Sequence, residues 1–156
     1  MSDKLIKLVI KAGSAKPAPP VGPALGQHGL NIMGFCKEFN ARTADLKPDV
    51  PVPVEIKAKK DKSFSFVTKT PPVTYFVKKA AGLTKGSTSP GHSTAGFLTL
   101  KHVYEIAKIK KQDPSNVLID LPSICRNIMG TCRAMGIKVL TKEEMEAKMA
   151  EAETQA

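Results

Sequence analysis

Arg126 and Arg133 stand seven residues apart, with Asn127, Gly130 and Thr131 between them and Ala134 following. On a helix these residues share one face, because side chains three, four and seven apart project to the same side. A solvated helix face is ordinarily filled with Lys, Glu and Gln. This one has small residues, and its glycine costs about 1 kcal/mol relative to alanine. Small residues let a flat partner approach the backbone, while flanking guanidinium groups fork onto phosphates or stack on bases. The same residues also fit a plain surface helix with two incidental arginines and a glycine tolerated for packing. Both readings stay open on this stretch alone.

The element that must carry the face is legible around it. Asp120 is a good N-cap residue, Pro122 fits the first turn, and Gly136 is a natural stop. Ile124, Cys125, Ile128, Cys132 and Met135 recur at helical spacing and predict a core-facing side opposite the arginines.

Other chemistry finds no comparable cluster. There is no phosphate-binding Walker loop, no HExxH, no GxSxG and no supportable Ser/His/Asp set. Gly26-Gln27-His28-Gly29 lacks the Lys-Ser/Thr that opens a phosphate-loop helix. Only nine Asp or Glu precede Thr141, and none forms an evident acid/base pair. No enzyme activity and no cofactor is expected. His28, His92 and His102 show no metal-ligand spacing among themselves or with the cysteines, so no metal site is expected. Cys36, Cys125 and Cys132 are odd in number and lack CxxC spacing, which predicts free thiols in a reducing compartment.

Charge narrows the partner. The net charge is +10, and Thr141 to Ala156 holds two Lys and five Glu, so residues 1–140 carry +13. Such a surplus argues for a polyanion: RNA, DNA or an anionic membrane. No apolar run is long enough to span a bilayer, and no membrane partner is expected. Six Phe, two Tyr and no Trp are too few for an aromatic stacking platform along a single strand. The start, MSDKLIKLVIK, resembles neither a secretory leader nor an Arg/Ser-rich presequence.

In chain order, Lys4 to Lys11 alternates as a strand with Ile6, Leu8 and Ile10 on one side. Pro17 to Gly29 packs four prolines and three glycines into thirteen residues, either a rigid loop or a shaped docking surface. One or two helical turns are predicted to begin at Pro20 and stop at Gly26 or Gly29. Asn31 caps a predicted helix over 32–41, with Ile32, Phe35, Cys36 and Phe39 inward. Val52, Val54, Ile56 and Ala58, a KKDK turn, and Phe64, Phe66 and Thr68 form a hairpin. Pro71-Pro72 stiffens the link and marks a boundary.

Beyond it Val73, Phe76, Val77, Ala80 and Ala81 predict a helix ended by Gly82. Leu83 to Gly96 is a long Gly/Ser/Thr loop, either floppy or suited to phosphate and sugar contacts. Leu98 to Lys111 reads as a helix with an apolar stripe and solvated Lys101, His102, Lys108, Lys110 and Lys111. Ile137 to Leu140 is a closing strand, and the acidic tail an exposed, frayed helix with no site. The fold class is α+β, with two small domains: a three-stranded sheet with helices over 1–70 and a mainly helical domain over 73–140. A hinge at 71–72 joins them, and 141–156 is a tail. Modules this small have marginal cores.

Several stretches resemble the family of the universal eleventh protein of the large ribosomal subunit. Pro19-Pro-Val-Gly-Pro-Ala-Leu-Gly-Gln27, Asn31-Ile-Met and Phe35-Cys-Lys-Glu-Phe-Asn40 are similar to its N-terminal signature. Phe66-Val-Thr-Lys-Thr-Pro-Pro72 resembles its hinge. Lys78-Lys-Ala-Ala-Gly82 and Gly130-Thr-Cys-Arg-Ala-Met-Gly136 resemble its RNA-binding domain. Leu100 to Lys110 looks more like the mitochondrial branch than the bacterial one. Lys85 to Gly96 departs from the usual bacterial loop, and the tail after Leu140 has no bacterial counterpart.

The resemblance implies binding to the GTPase-associated region of large-subunit ribosomal RNA. Arg126, Asn127, Gly130, Thr131, Arg133 and Gly136 would lie on the RNA, with Lys85, Gly86, Ser87 and Gly91 as a second contact. Pro19, Pro20, Pro23 and Gln27 would face translational GTPases or line the cleft where thiopeptide antibiotics bind. Pro71 and Pro72 would be the hinge. Implied partners are ribosomal RNA, stalk proteins and, transiently, elongation factors, with no homo-oligomer. The implied place is the large subunit of the mitochondrial ribosome in the matrix, or alternatively a bacterial cytoplasm. A non-ribosomal RNA-binding or regulatory module is the alternative function, separated by whether the chain sediments with ribosomes.

Overall fold

The computed structural model describes residues 3–155. They form two compact units, one ending at Pro72 and one beginning at Val73, each with its own hydrophobic core.

The first unit runs β1 (Lys4–Lys11), α1 (Val21–Gly26), α2 (Ile32–Arg42), β2 (Pro51–Ala58) and β3 (Phe64–Thr68). The strands make one antiparallel sheet in the order β1-β2-β3. Ile6 lies opposite Ile56, and Ile56 opposite Phe66, so period-two alternation puts these three side chains on the same face. That face closes on Phe35, Cys36 and Phe39 of α2, with Val21 and Leu25 of α1. Phe35 is fully buried, its ring 5.1 Å from Phe66 and 5.9 Å from Phe39. A buried phenylalanine of this kind is worth about 3–5 kcal/mol against alanine, a large share of a small domain's stability. The side chain of Asn31 caps α2 by accepting from the Gly34 N–H at 3.0 Å.

Polar side chains of α2 and the turn after it hold the segment that leads into the prolines. The Thr43 hydroxyl accepts from Gly13 N–H at 3.0 Å and donates to the Phe39 carbonyl at 2.9 Å. The Asn40 amide both accepts from and donates to the Ala15 backbone.

The second unit runs α3 (Val73–Ala81), β4 (Gly96–Thr99), α4 (Leu100–Lys111), a 3₁₀ turn (Pro114–Asn116), α5 (Leu121–Ala134), β5 (Ile137–Leu140) and α6 (Lys142–Gln155). Val77, Leu98, Val103, Ile106, Ile124, Ile128 and Cys132 fill its core. Desolvation raises the Cys132 thiol pKa, in keeping with a packing role.

Three expectations are corrected. Leu98 does not open a helix: Gly96–Thr99 is a strand paired in parallel with β5, with Leu98 opposite Val139. Asp120 holds the extended N-cap conformation of α5 without a side-chain capping bond, leaving Pro122 to set the first turn. Lys110 and Lys111 are not solvated. Lys110 pairs with buried Asp113 at 2.8 Å, and Lys111 donates to the carbonyls of Val117 and Ile119. Both lysines therefore brace the turn between α4 and α5. α6 buries no residue.

Candidate nucleic-acid interface

α5 buries Ile124, Ile128 and Cys132 and leaves Arg126, Asn127, Met129, Gly130, Arg133 and Ala134 on its other side. Its two-sidedness follows from the apolar spacing: one stripe enters the core, and the other side faces outward. No salt bridge among the described residues engages Arg126 or Arg133, so both guanidinium groups keep their donors. Thr131 differs, since its hydroxyl donates to the Asn127 carbonyl at 3.1 Å and keeps only its oxygen as an acceptor for a partner.

Gly130 settles one of the two readings of the glycine. A Cβ placed there would meet nothing within 4 Å. Packing inside the chain therefore does not require a glycine at this position. The helix carries its cost beside two arginines, on an open surface.

The face continues into a groove of about 460 Å³ lined by Arg126, Met129, Gly130, Arg133 and, from β5, Ile137, Lys138 and Val139. Three cations and no carboxylate line it, an arrangement suited to a phosphate backbone. Met129 and Lys138 fall outside the residues expected from sequence. Strand alternation gives no signal for Lys138, since period two puts it on the side of buried Leu140; it is nevertheless exposed.

The segment over 85–96 is pinned to the end of α5. Ser87 N–H donates to the Met135 carbonyl at 2.9 Å, and Ala95 N–H to the Gly136 carbonyl at 2.8 Å. The hydroxyls of Ser87 and Ser93 lie 2.6 Å apart, and that of Ser89 is 3.0 Å from Ser93. Gly86 also sits close, since a Cβ there would be 3.0 Å from the Met135 carbonyl oxygen. The segment is thus a braced extension of the helix face rather than a floppy loop. It presents exposed Lys85 and Gly91.

Gly136 does not belong to the open face. It is buried, with φ +72°, and a Cβ on it would come within 2.4 Å of the Ser87 Cβ. Its work is beneath the surface: the left-handed backbone turns the chain and lets the serine loop dock.

In the first unit Pro19, Pro20, Pro23 and Gln27 are all exposed. α1 is anchored through Val21 and Leu25, so its prolines face outward. Beside them lies a groove of about 350 Å³ lined by Val9, Lys11, Ser14, Lys16, Pro19 and Pro20, among others. Pro71 and Pro72 stand at the end of this unit, half-buried.

Among the described residues no group of three or more His, Cys, Asp or Glu could hold a metal ion, and no helix is long and apolar enough to cross a membrane.

Comparison with known proteins agrees with this geometry. Residues 6–64 match the family described as ribosomal protein L11, N-terminal domain, and residues 69–139 match ribosomal protein L11, RNA binding domain. The chain is 50% identical over 136 residues to the large ribosomal subunit protein uL11m of Schizosaccharomyces pombe, covering 87% of this chain and 94% of that protein. It is 47% identical over 135 residues to the large ribosomal subunit protein uL11m of Drosophila melanogaster, covering 86% and 69%. With both halves of the chain matched in order, and the basic helix face inside the second, the chain belongs to the ribosomal protein L11 family, structural rather than catalytic proteins.

Proposed function

We propose that this chain is a structural constituent of the large subunit of the mitochondrial ribosome. Its second unit binds ribosomal RNA at the GTPase-associated region. Its first unit stands at the stalk base, near stalk proteins, and presents Pro19, Pro20, Pro23 and Gln27 to translational GTPases. Pro71-Pro72 is the hinge that lets the first unit respond to those factors. The chain itself catalyses nothing; it positions RNA and factor. The uL11m names of its relatives and the likeness of Leu100–Lys110 to the mitochondrial branch support the compartment.

One observation carries the RNA reading: two uncommitted arginines flank a glycine that the fold does not require, within a groove lined by cations and no carboxylate. RNA is recognised through backbone and shape by such surfaces. Arg126, Asn127, Gly130, Thr131 and Arg133 are the helix contacts, with Lys85, Gly86, Ser87 and Gly91 alongside.

The test is binding of the full chain to a GTPase-associated-region RNA hairpin across a salt series, with Arg133→Ala beside it. Wild type should bind tightly, and affinity should fall steeply with salt. The variant should lose about 1–3 kcal/mol and flatten the salt slope by about one. Equal, weak binding of both proteins to any RNA would reduce the basic body to a nonspecific polyanion surface. Co-sedimentation with mitochondrial ribosomes separates this reading from a free-standing RNA-binding module.

A further inference from the structure

We infer that the RNA groove extends past α5 onto β5, with Lys138 as a further phosphate-binding residue, and that Glu144 of α6 occupies Lys138 when RNA is absent. The inference rests on the RNA reading above and adds to it a contact residue and an internal competitor.

Lys138 enters the groove from a different element than Arg126 and Arg133, yet all three line the same space. Its side chain is 55% exposed, and its ammonium lies 3.4 Å from the Glu144 carboxylate. The two oxygens of that carboxylate have different tasks. Oε2 accepts from the Thr141 backbone N–H at 3.0 Å, while Oε1 faces Lys138. Glu144 N–H in turn donates to the Thr141 hydroxyl at 3.4 Å, which completes a capping box. The carboxylate is therefore built into the start of α6, and Lys138 is the partner free to leave. Lys148, one turn further along α6, sits over the Phe97 ring of β4 at 3.0 Å from its centroid. This second contact keeps the helix beside the sheet.

A fixed carboxylate facing a lysine at the rim of a cationic groove stands where a phosphate oxygen would stand. The pair is solvent-exposed, so it is weak enough for a dense row of phosphates to displace. A stray anion offering a single charge gains less from the exchange. Glu144 thus lowers apparent affinity modestly and favours an RNA whose shape satisfies Arg126, Arg133 and Lys138 together.

The test uses the full chain, the same RNA hairpin and a salt series. Glu144→Gln keeps the bond to the Thr141 N–H and removes the charge. It should tighten binding about two- to fivefold, the scale of an exposed ion pair. Lys138→Gln should weaken binding about fivefold or more and lower the salt slope by about one. In the Lys138→Gln background, Glu144→Gln should do nothing further, because its partner is gone. Glu151→Gln makes the same charge change elsewhere on α6 and should have a much smaller effect. Circular dichroism verifies that each variant is folded.

If Lys138→Gln binds like wild type while Arg133→Ala is impaired, the RNA reading survives and this inference falls. It falls as well if Glu144→Gln tightens binding equally with and without Lys138, or no more than Glu151→Gln. If Arg133→Ala is also silent, the groove is not the RNA site and both readings fall together.

Discussion

Replacing Gly130 with alanine should stabilise the chain and, at the same time, weaken its hold on RNA. The position is the tenth of fourteen residues in α5, well inside the helix, where glycine costs about 0.8–1 kcal/mol against alanine. The added methyl would meet no atom of the chain within 4 Å, so no packing penalty opposes that gain. For a unit of this size 1 kcal/mol corresponds to roughly 4–8 °C in Tm. The same methyl stands on the open face between Arg126 and Arg133. If RNA approaches the helix backbone there, the methyl pushes it outward and loosens the forked arginine contacts. Loss of one good contact corresponds to about 1–3 kcal/mol, or roughly five- to 150-fold in Kd.

Two measurements read the opposed effects: thermal unfolding followed at a helix wavelength, and hairpin binding at fixed salt. A higher Tm with weaker binding supports the face as the contact. A higher Tm with unchanged binding would refute the reasoning, because the glycine would then be spared for nothing that RNA uses. A lower Tm would mean that the space above Gly130 is filled in solution by part of the chain itself.

Two further outcomes test how the site is held and how the first unit responds to pH. Gly136→Ala should cost at least about 2 kcal/mol, combining a left-handed backbone that disfavours a Cβ with overlap on Ser87. Amide exchange at Ser87 and Ala95 should accelerate, since their bonds to the Met135 and Gly136 carbonyls are the ones released. Wild-type exchange rates at both amides would show that the loop does not depend on this close approach. Glu55 accepts from Lys69 at 2.8 Å and lies 3.7 Å from Lys7. The Lys69 hydrogen bond, with the charges of both lysines, holds its carboxyl below the usual glutamate range. A carboxyl whose folded pKa is depressed stabilises the fold above its unfolded pKa of about 4.3 and loses that effect as pH falls through the folded value. Glu55→Gln should therefore be less stable at pH 7 by up to about 1 kcal/mol. The gap should close during acid titration below pH about 4; a gap that persists through the whole acid titration would assign it to something other than charge.

Much of this protein was legible from local pattern alone. The alternation of Lys4–Lys11, the Val52–Thr68 hairpin, the Asn31-capped helix and the helix ending before Gly136 each rest on periodicity and capping within a dozen or so residues. Those rules act through the nearest neighbours in the chain, so they survive without knowledge of the fold. The motifs around Pro19–Gln27 and Gly130–Gly136 carried the family, and the charge excess carried the class of partner. The rest depended on contacts that periodicity and capping do not encode, some of them across long separations. Leu98 and Thr99 look like the start of the next helix until β5, some forty residues later, supplies a parallel partner for Gly96–Thr99. Lys110 and Lys111 look solvated until the turn after α4 folds back to meet them. Gly136 reads as part of an RNA face until the serine loop covers it, and Lys138 reads as an ordinary strand lysine until β5 is laid beside α5. In each case the residue's role is set by which other part of the chain it meets once folded, from the turn three to eight residues on for Lys110 and Lys111 to a strand some forty residues away for Gly96–Thr99, and periodicity alone does not supply that.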